Sequence, residues 1–167
     1  DKGWKDSLDG NFSDFLSWEE LRIMQKNGVF DIQSHGVEHK KVFCSDEASG
    51  VVKGRIGWSL LSASPEVKEG MPIYPIRSAL SARSYYPDFS GASGKWETEE
   101  EMRRRILGEL VASRNRIVSE TGFAPLHLCW PFGEYSDAGI ELAREAGYEA
   151  CYTTKPGSIT HGTDRFR

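Results

Sequence analysis

The chain has 167 residues, 38% of them apolar and 28% charged, with a formal net charge of −4. That length suits one globular domain with a real core and leaves little room for a second. The acidic balance argues against a nucleic-acid partner, and no apolar run approaches the ~20 residues of a membrane-spanning helix.

Ser17-Trp-Glu-Glu20 has the form of a capping box, which predicts a helix running to about Lys26 and stopped at Asn27-Gly28. Val29 to Ser34 then reads as a short strand. Its C-terminal end carries His35 and His39, in Asp31-Ile-Gln-Ser-His-Gly-Val-Glu-His39. First-row divalent ions favour imidazole nitrogen, and functional side chains of parallel α/β folds collect at strand ends, so this pair suits a metal. The spacing describes equally well a polar loop with two ordinary histidines. A catalytic ion needs a third protein ligand, and none stands out nearby.

Between Val42 and Trp96 the periodicity lapses, and Ser, Gly and Pro alternate with Trp58, Tyr74, Tyr85, Tyr86 and Phe89. This stretch is too long for a bare connection. It reads as an excursion, at about 42–96, that covers one mouth of the fold with short helices of its own, or alternatively as a partly mobile surface loop.

Thr98-Glu-Glu-Glu101 repeats the capping box, and Met102, Ile106, Leu110 and Ile117 follow at helical spacing up to Thr121-Gly122. Glu99/Arg103, Glu100/Arg104 and Glu101/Arg105 are expected as i,i+4 ion pairs. A strand over about Ala124 to Trp130 comes next, then the turn Trp130-Pro-Phe-Gly-Glu-Tyr135. Stiff and aromatic, that turn suits the face of a sugar, and its N–H groups suit a developing oxyanion. A plain strand-to-helix turn with its aromatics in the core fits the same residues. Ser136 caps a helix with Ile140, Leu142, Ala143 and Ala146 that ends at Gly147, and Tyr148 to Thr154 is a further strand. Helix, glycine turn and strand in succession is the pattern of parallel α/β structure. His161, in the loop from Pro156 to Asp164, reads as a lone solvent-facing histidine. Cys44, Cys129 and Cys151 form no CxxC, so neither a disulfide framework nor a zinc ribbon is expected, and Cys129 and Cys151 read as buried thiols.

Together these residues resemble the polysaccharide deacetylase family of carbohydrate esterases, whose second motif is His-(Ser/Thr)-x-x-His at a strand end. Here it reads His35-Gly-Val-Glu-His39, followed in order by the long helix, Trp130-Pro-Phe-Gly-Glu-Tyr135, Ala143-Arg-Glu-Ala-Gly-Tyr148 and Thr153-Thr-Lys-Pro-Gly157. The succession is most similar to the bacterial branch acting on envelope or biofilm polysaccharides. The likeness covers nearly the whole chain apart from parts of the excursion, and it treats residues 1–167 as one catalytic domain lacking its N-terminal part.

The resemblance implies a distorted (β/α) barrel only partly covered by this chain, since such barrels take about 250 residues. It implies a divalent ion, zinc before cobalt, nickel or manganese, held by His35, His39 and an Asp. It assigns the oxyanion donor to the main chain of Phe132 and the substrate wall to Trp130, Pro131 and Tyr135. The implied substrate is an acetylated aminosugar polysaccharide, and the implied location is outside the cytoplasm. Four departures stand beside it. The Thr-Phe-Asp-Asp motif carrying the base and third ligand is absent, and belongs in a region preceding Asp1. Gly36 replaces a hydroxyl residue, Cys129 stands where the family has Arg, and no Leu-x-His motif is found. On that pattern this piece alone is expected to be inactive. The rival readings are an inactive deacetylase-like domain that grips glycan, and an unrelated metal amidohydrolase or esterase on a similar barrel.

Overall fold

Local capping chemistry sets the helix starts. In the computed structural model, which describes residues 15–91, 93–157, 162 and 164–166, helix α1 spans Trp18–Lys26. The Ser17 hydroxyl accepts the Glu20 N–H, and the Glu20 carboxylate accepts the Ser17 N–H at 2.7 Å. Thr98 and Glu101 make the same reciprocal pair at the head of the longest helix, Glu99–Thr121, which Gly122 closes in the left-handed conformation. Ser136 accepts from the Gly139 N–H at 3.1 Å to start the helix Asp137–Glu145.

The excursion meets the expectation of short helices only in part. It folds mainly as antiparallel sheet: β1 (Lys41–Phe43), β2 (Gly50–Val51), one short helix α2 (Trp58–Ala63), β3 (Pro72–Ile73), β4 (Ile76–Ser78), β5 (Tyr85–Tyr86) and β6 (Lys95–Trp96). The order is β4-β1-β5-β6, with β2 and β3 paired separately. It has its own core of Phe43, Val52, Val67 and Tyr85. Strands two or three residues long never show the alternation by which a half-buried strand is read.

The remaining elements are helix α3 (Glu99–Thr121), strand β7 (His127–Cys129), helix α4 (Asp137–Glu145) and strand β8 (Ala150–Tyr152). β7 and β8 are parallel, His127 opposite Ala150 and Cys129 opposite Tyr152. The strand expected over 29–34 shrinks to one parallel bridge, Ser34 to Leu128, and Val29 and Phe30 are exposed. Side chains take over its ladder: Gln33 Oε1 accepts the His127 N–H, and Gln25 Oε1 accepts the Ile32 N–H, each at 2.8 Å. The fold is therefore mixed α/β with a short parallel ribbon, and the described residues do not close a barrel. Ile106 and Leu110 of α3 pack with Leu128, Trp130, Ile140 and Leu142 into the main core, which Leu80 of the excursion enters as well. No helix among the described residues is long and apolar enough to cross a membrane.

Of the three expected i,i+4 pairs, only Glu100–Arg104 forms, at 3.7 Å and well exposed. Arg103 reaches Glu141 and Glu145 on α4, while Arg105 turns to Glu97. An exposed helical pair is worth only a few tenths of a kcal/mol, so partners across the tertiary structure displace it.

Candidate metal centre

Ser34 sits at the end of the parallel ribbon and is 1% exposed. Its hydroxyl shares a 2.7 Å hydrogen bond with Ser113 of α3 and accepts from the Tyr148 hydroxyl at 2.8 Å. Burial, offset by the hydroxyl partners, raises the pKa of that tyrosine, so it stays a neutral donor. From this anchor the chain turns through Gly36, at φ 81°, to His39, at φ 47°, a left-handed conformation rare outside glycine.

The turn brings the two imidazoles together, ring centres 4.7 Å apart. Two imidazoles on one tetrahedral ion, each nitrogen about 2.0–2.1 Å from it, hold their ring centres roughly 5 Å apart. His35 Nδ1 lies 2.8 Å from the carbonyl oxygen of Cys129. A carbonyl only accepts, so Nδ1 carries a proton and Nε2 is the nitrogen left to face a metal, the arrangement by which an outer partner orients a ligating histidine. The His39 pKa is lowered, by burial first and then by the neighbouring charges of His35 and Lys41. This favours the neutral ring that binds metal. The donor chemistry thus fits two positions of a first-row divalent ion. No cluster of three or more His, Cys, Asp or Glu that could hold a metal occurs among the described residues.

Opposite the histidines lies the 3₁₀ turn Pro131–Gly133, where Phe132 takes φ 62°. The strain of that conformation is held from both sides. Gly133, at φ 68°, presses against Thr154, where any Cβ would collide with that side chain. Glu134 accepts from Lys41 Nζ at 2.5 Å and from the Ser78 N–H at 2.6 Å, tying the turn to β1 and β4. The same Lys41 ammonium stands 3.7 Å above the Phe132 ring, whose centre is 4.3 Å from that of His39. Gly133→Ala is expected to lower stability and loosen the turn, read as a fall in Tm.

Two of the expected substrate-wall residues are buried. Trp130 is 1% exposed and enclosed by the core beside α4, and Pro131 is buried with its ring against Gly36 of the histidine turn, so both support the site without facing solvent. Tyr135 is partly exposed, its hydroxyl accepting from Lys155 Nζ at 2.8 Å. The aromatic that does reach the site comes from the excursion. Trp58 is 45% exposed and lies nearly parallel to His39 (26°) and Phe132 (28°), with ring centres 5.9 and 6.0 Å away. Nothing in its local sequence marks it, because the site forms only when α2 packs beside the histidine turn. Lys41, two residues past His39, was equally unmarked.

The departures at Gly36 and Cys129 have structural counterparts. The Cys129 side chain is exposed, contrary to expectation, because the strand turns Leu128 inward and its neighbour outward. Residue 129 nevertheless serves the site through its carbonyl. Cys151 is buried as expected, and burial pushes its thiol pKa up to about 12. At Gly36, the Glu109 carboxylate of α3 lies 3.1 Å from where a Cβ would stand. His35 and Gly36 also border a cleft of about 710 Å³ between α1 and α3, walled by Trp18, Leu21, Ile32 and Ile117. His161 falls outside the described residues.

The family model of polysaccharide deacetylases matches residues 4–151. A search of curated proteins gives no match. Among solved structures, the chain is similar to the deacetylase domain of BpsB from Bordetella bronchiseptica, at 24% identity and a TM-score of 0.66, covering 90% of this chain and 46% of that one. It is also similar to a de-N-acetylase from Aggregatibacter actinomycetemcomitans, at 19% identity and a TM-score of 0.65, covering 91% and 46%. The chain therefore spans less than half the length of either structure, and at these identities the likeness is one of fold.

Proposed function

Because the chain belongs to the polysaccharide deacetylase family, we propose that the full-length protein hydrolyses N-acetyl groups on an aminosugar polysaccharide with the help of a divalent ion. The observation that carries this reading is the convergence of His35, His39 and the left-handed Phe132 turn within one small region. His35 and His39 hold the ion, zinc before cobalt, nickel or manganese. When bound, such an ion polarises a carbonyl and makes a water nucleophilic near neutral pH. The Cys129 carbonyl keeps the His35 ring in its ligating tautomer. The Phe132 N–H donates to the oxyanion that grows as the acetyl carbon becomes tetrahedral. The family pattern assigns the third ligand and the base to an Asp pair that this stretch of chain does not contain. Tyr135 and Trp58 flank the substrate, and the reaction takes place outside the cytoplasm, where such polymers lie.

The test is acetate release from N-acetylated oligosaccharides by the full-length protein, with and without a chelator. Chelator-sensitive release supports the proposal. Glycan binding without any release would replace it with the inactive glycan-gripping reading, and release only from small acetyl esters would replace it with the esterase reading.

Trp58 supplies a second handle. An aromatic face against a pyranose ring contributes on the scale of other aromatic contacts, about 0.5–1.5 kcal/mol. Trp58→Ala is expected to raise KM for the polymer about tenfold, roughly 1.4 kcal/mol, with kcat less affected. Trp58→Phe should keep most of the affinity, and an unchanged KM in Trp58→Ala would remove this residue from the substrate site.

A further inference from the structure

The histidine turn exposes three successive N–H groups on its inner side. Gly36 N–H reaches the Ser34 hydroxyl at 3.4 Å, while Val37 N–H and Glu38 N–H both donate to one oxygen, Oε1 of Glu109, at 3.2 Å each. Consecutive main-chain N–H groups in a turn containing left-handed residues form a concavity suited to an anion. Here the anion is a carboxylate supplied by α3, and its bonds to the two N–H groups are charge-assisted. Its approach depends on residue 36. A Cβ placed on Gly36 would stand 3.1 Å from Glu109 Oε1 and 3.4 Å from Leu80 Cδ1, in a backbone conformation at φ 81° that side chains rarely adopt.

We propose that Glu109 is a positioning residue for the metal loop: its carboxylate clamps the Val37 and Glu38 amides and so fixes the separation of His35 and His39, and Gly36 is the gap that lets the clamp close. Within the family pattern, this clamp does from the neighbouring helix what the missing hydroxyl at position 36 would do from inside the loop. The inference rests on the metal reading of the two histidines. It requires only an acceptor at this position, so the amide oxygen of glutamine serves nearly as well, whereas a methyl group or a retracted carboxylate does not. A role through negative charge alone would give the opposite ranking, with Glu109→Asp retaining affinity and Glu109→Gln losing it.

The experiment measures zinc affinity of the full-length protein by competition with a chromophoric chelator, together with the visible spectrum of the cobalt form. Near-UV circular dichroism of the metal-free proteins verifies folding. Partners that orient metal ligands are typically worth 10–100-fold in affinity. Glu109→Ala is expected to weaken zinc at least about tenfold and to shift the cobalt spectrum, with Glu109→Gln within about threefold of the parent. Should Glu109→Ala not fold, Glu109→Asp is expected to weaken zinc to a similar degree. Parent-level affinity in any folded Ala or Asp variant, or a loss in Glu109→Gln as large as in Ala or Asp, overturns the inference. A parent that binds zinc and releases no acetate would end the deacetylase reading and leave this one standing on the affinities. A parent that binds no zinc would end both.

Discussion

On the proposed function, His35→Ala is expected to remove zinc from the full-length protein and to cut acetate release by about a thousandfold or more, because activation of the water would depend on the ion. The structure distinguishes the two histidines. His35 is oriented by the Cys129 carbonyl through Nδ1, so its loss removes a preorganised ligand and leaves a main-chain acceptor open to solvent. His39 is wedged between His35, Phe132 and Trp58. His39→Ala should therefore also free the Phe132 ring and Trp58, and lower stability measurably in the metal-free protein, where His35→Ala should not. Zinc content of the purified variants and acetate release at saturating zinc check both statements. A His35→Ala protein with full zinc content and full rate would mean that the hydrogen bond to residue 129 is purely architectural.

Arg105→Ala is expected to cost about 3–5 kcal/mol of stability, the range for breaking a buried ion pair from one side. Glu97 is 3% exposed. Arg105 donates to it from Nε at 2.7 Å and from Nη2 at 2.8 Å, and the Ser84 N–H adds a third bond at 2.9 Å. The same guanidinium donates to the carbonyls of Ala79 and Ala82, at 2.5 and 3.0 Å. Alanine would leave a carboxylate and two carbonyls without this donor, and lysine cannot reproduce the planar fork. Burial works to raise the Glu97 pKa, but the Arg105 and Ser84 bonds and the Arg105 charge together hold it below the usual carboxylate range. A pKa lower in the folded than in the unfolded state gives stability present above the unfolded value and lost as pH falls through the folded one. The gap between parent and Arg105→Ala should thus be full at pH 7 and narrow in acid, where Glu97 takes up a proton. Urea unfolding at both pH values is the measurement, and a gap independent of pH would assign the cost to the two carbonyls instead.

The helices were readable because their signals are local. Ser17, Thr98 and Ser136 cap through contacts three residues away, and Gly122 stops α3 through its own backbone preference. The histidine pair and the Phe132 turn stood out for the same reason, each being a short run of local sequence, although the strand expected before the histidines is a single bridge at Ser34. What escaped was decided by partners distant in sequence. Whether a tryptophan faces solvent or core depends on packing: Trp130 is covered by α4, while Trp58 is carried to the histidine turn by the excursion. Glu109 gave one weak sign, an acidic residue beside the buried stripe of Ile106, Leu110 and Ser113. Such a residue usually faces water, and only the turn above it explains its place.

The bond from His35 to the carbonyl of residue 129 has a wider consequence. Any amino acid at that position presents the same oxygen, so the side chain is free to change while the histidine keeps its tautomer. Cys129→Ser should leave zinc affinity and acetate release as they are. The donors at Val37, Glu38 and Phe132 are main-chain atoms too, so much of this centre is written in the course of the backbone and is blind to residue identity. Comparing letters alone will therefore count such a centre as more degraded than its geometry is.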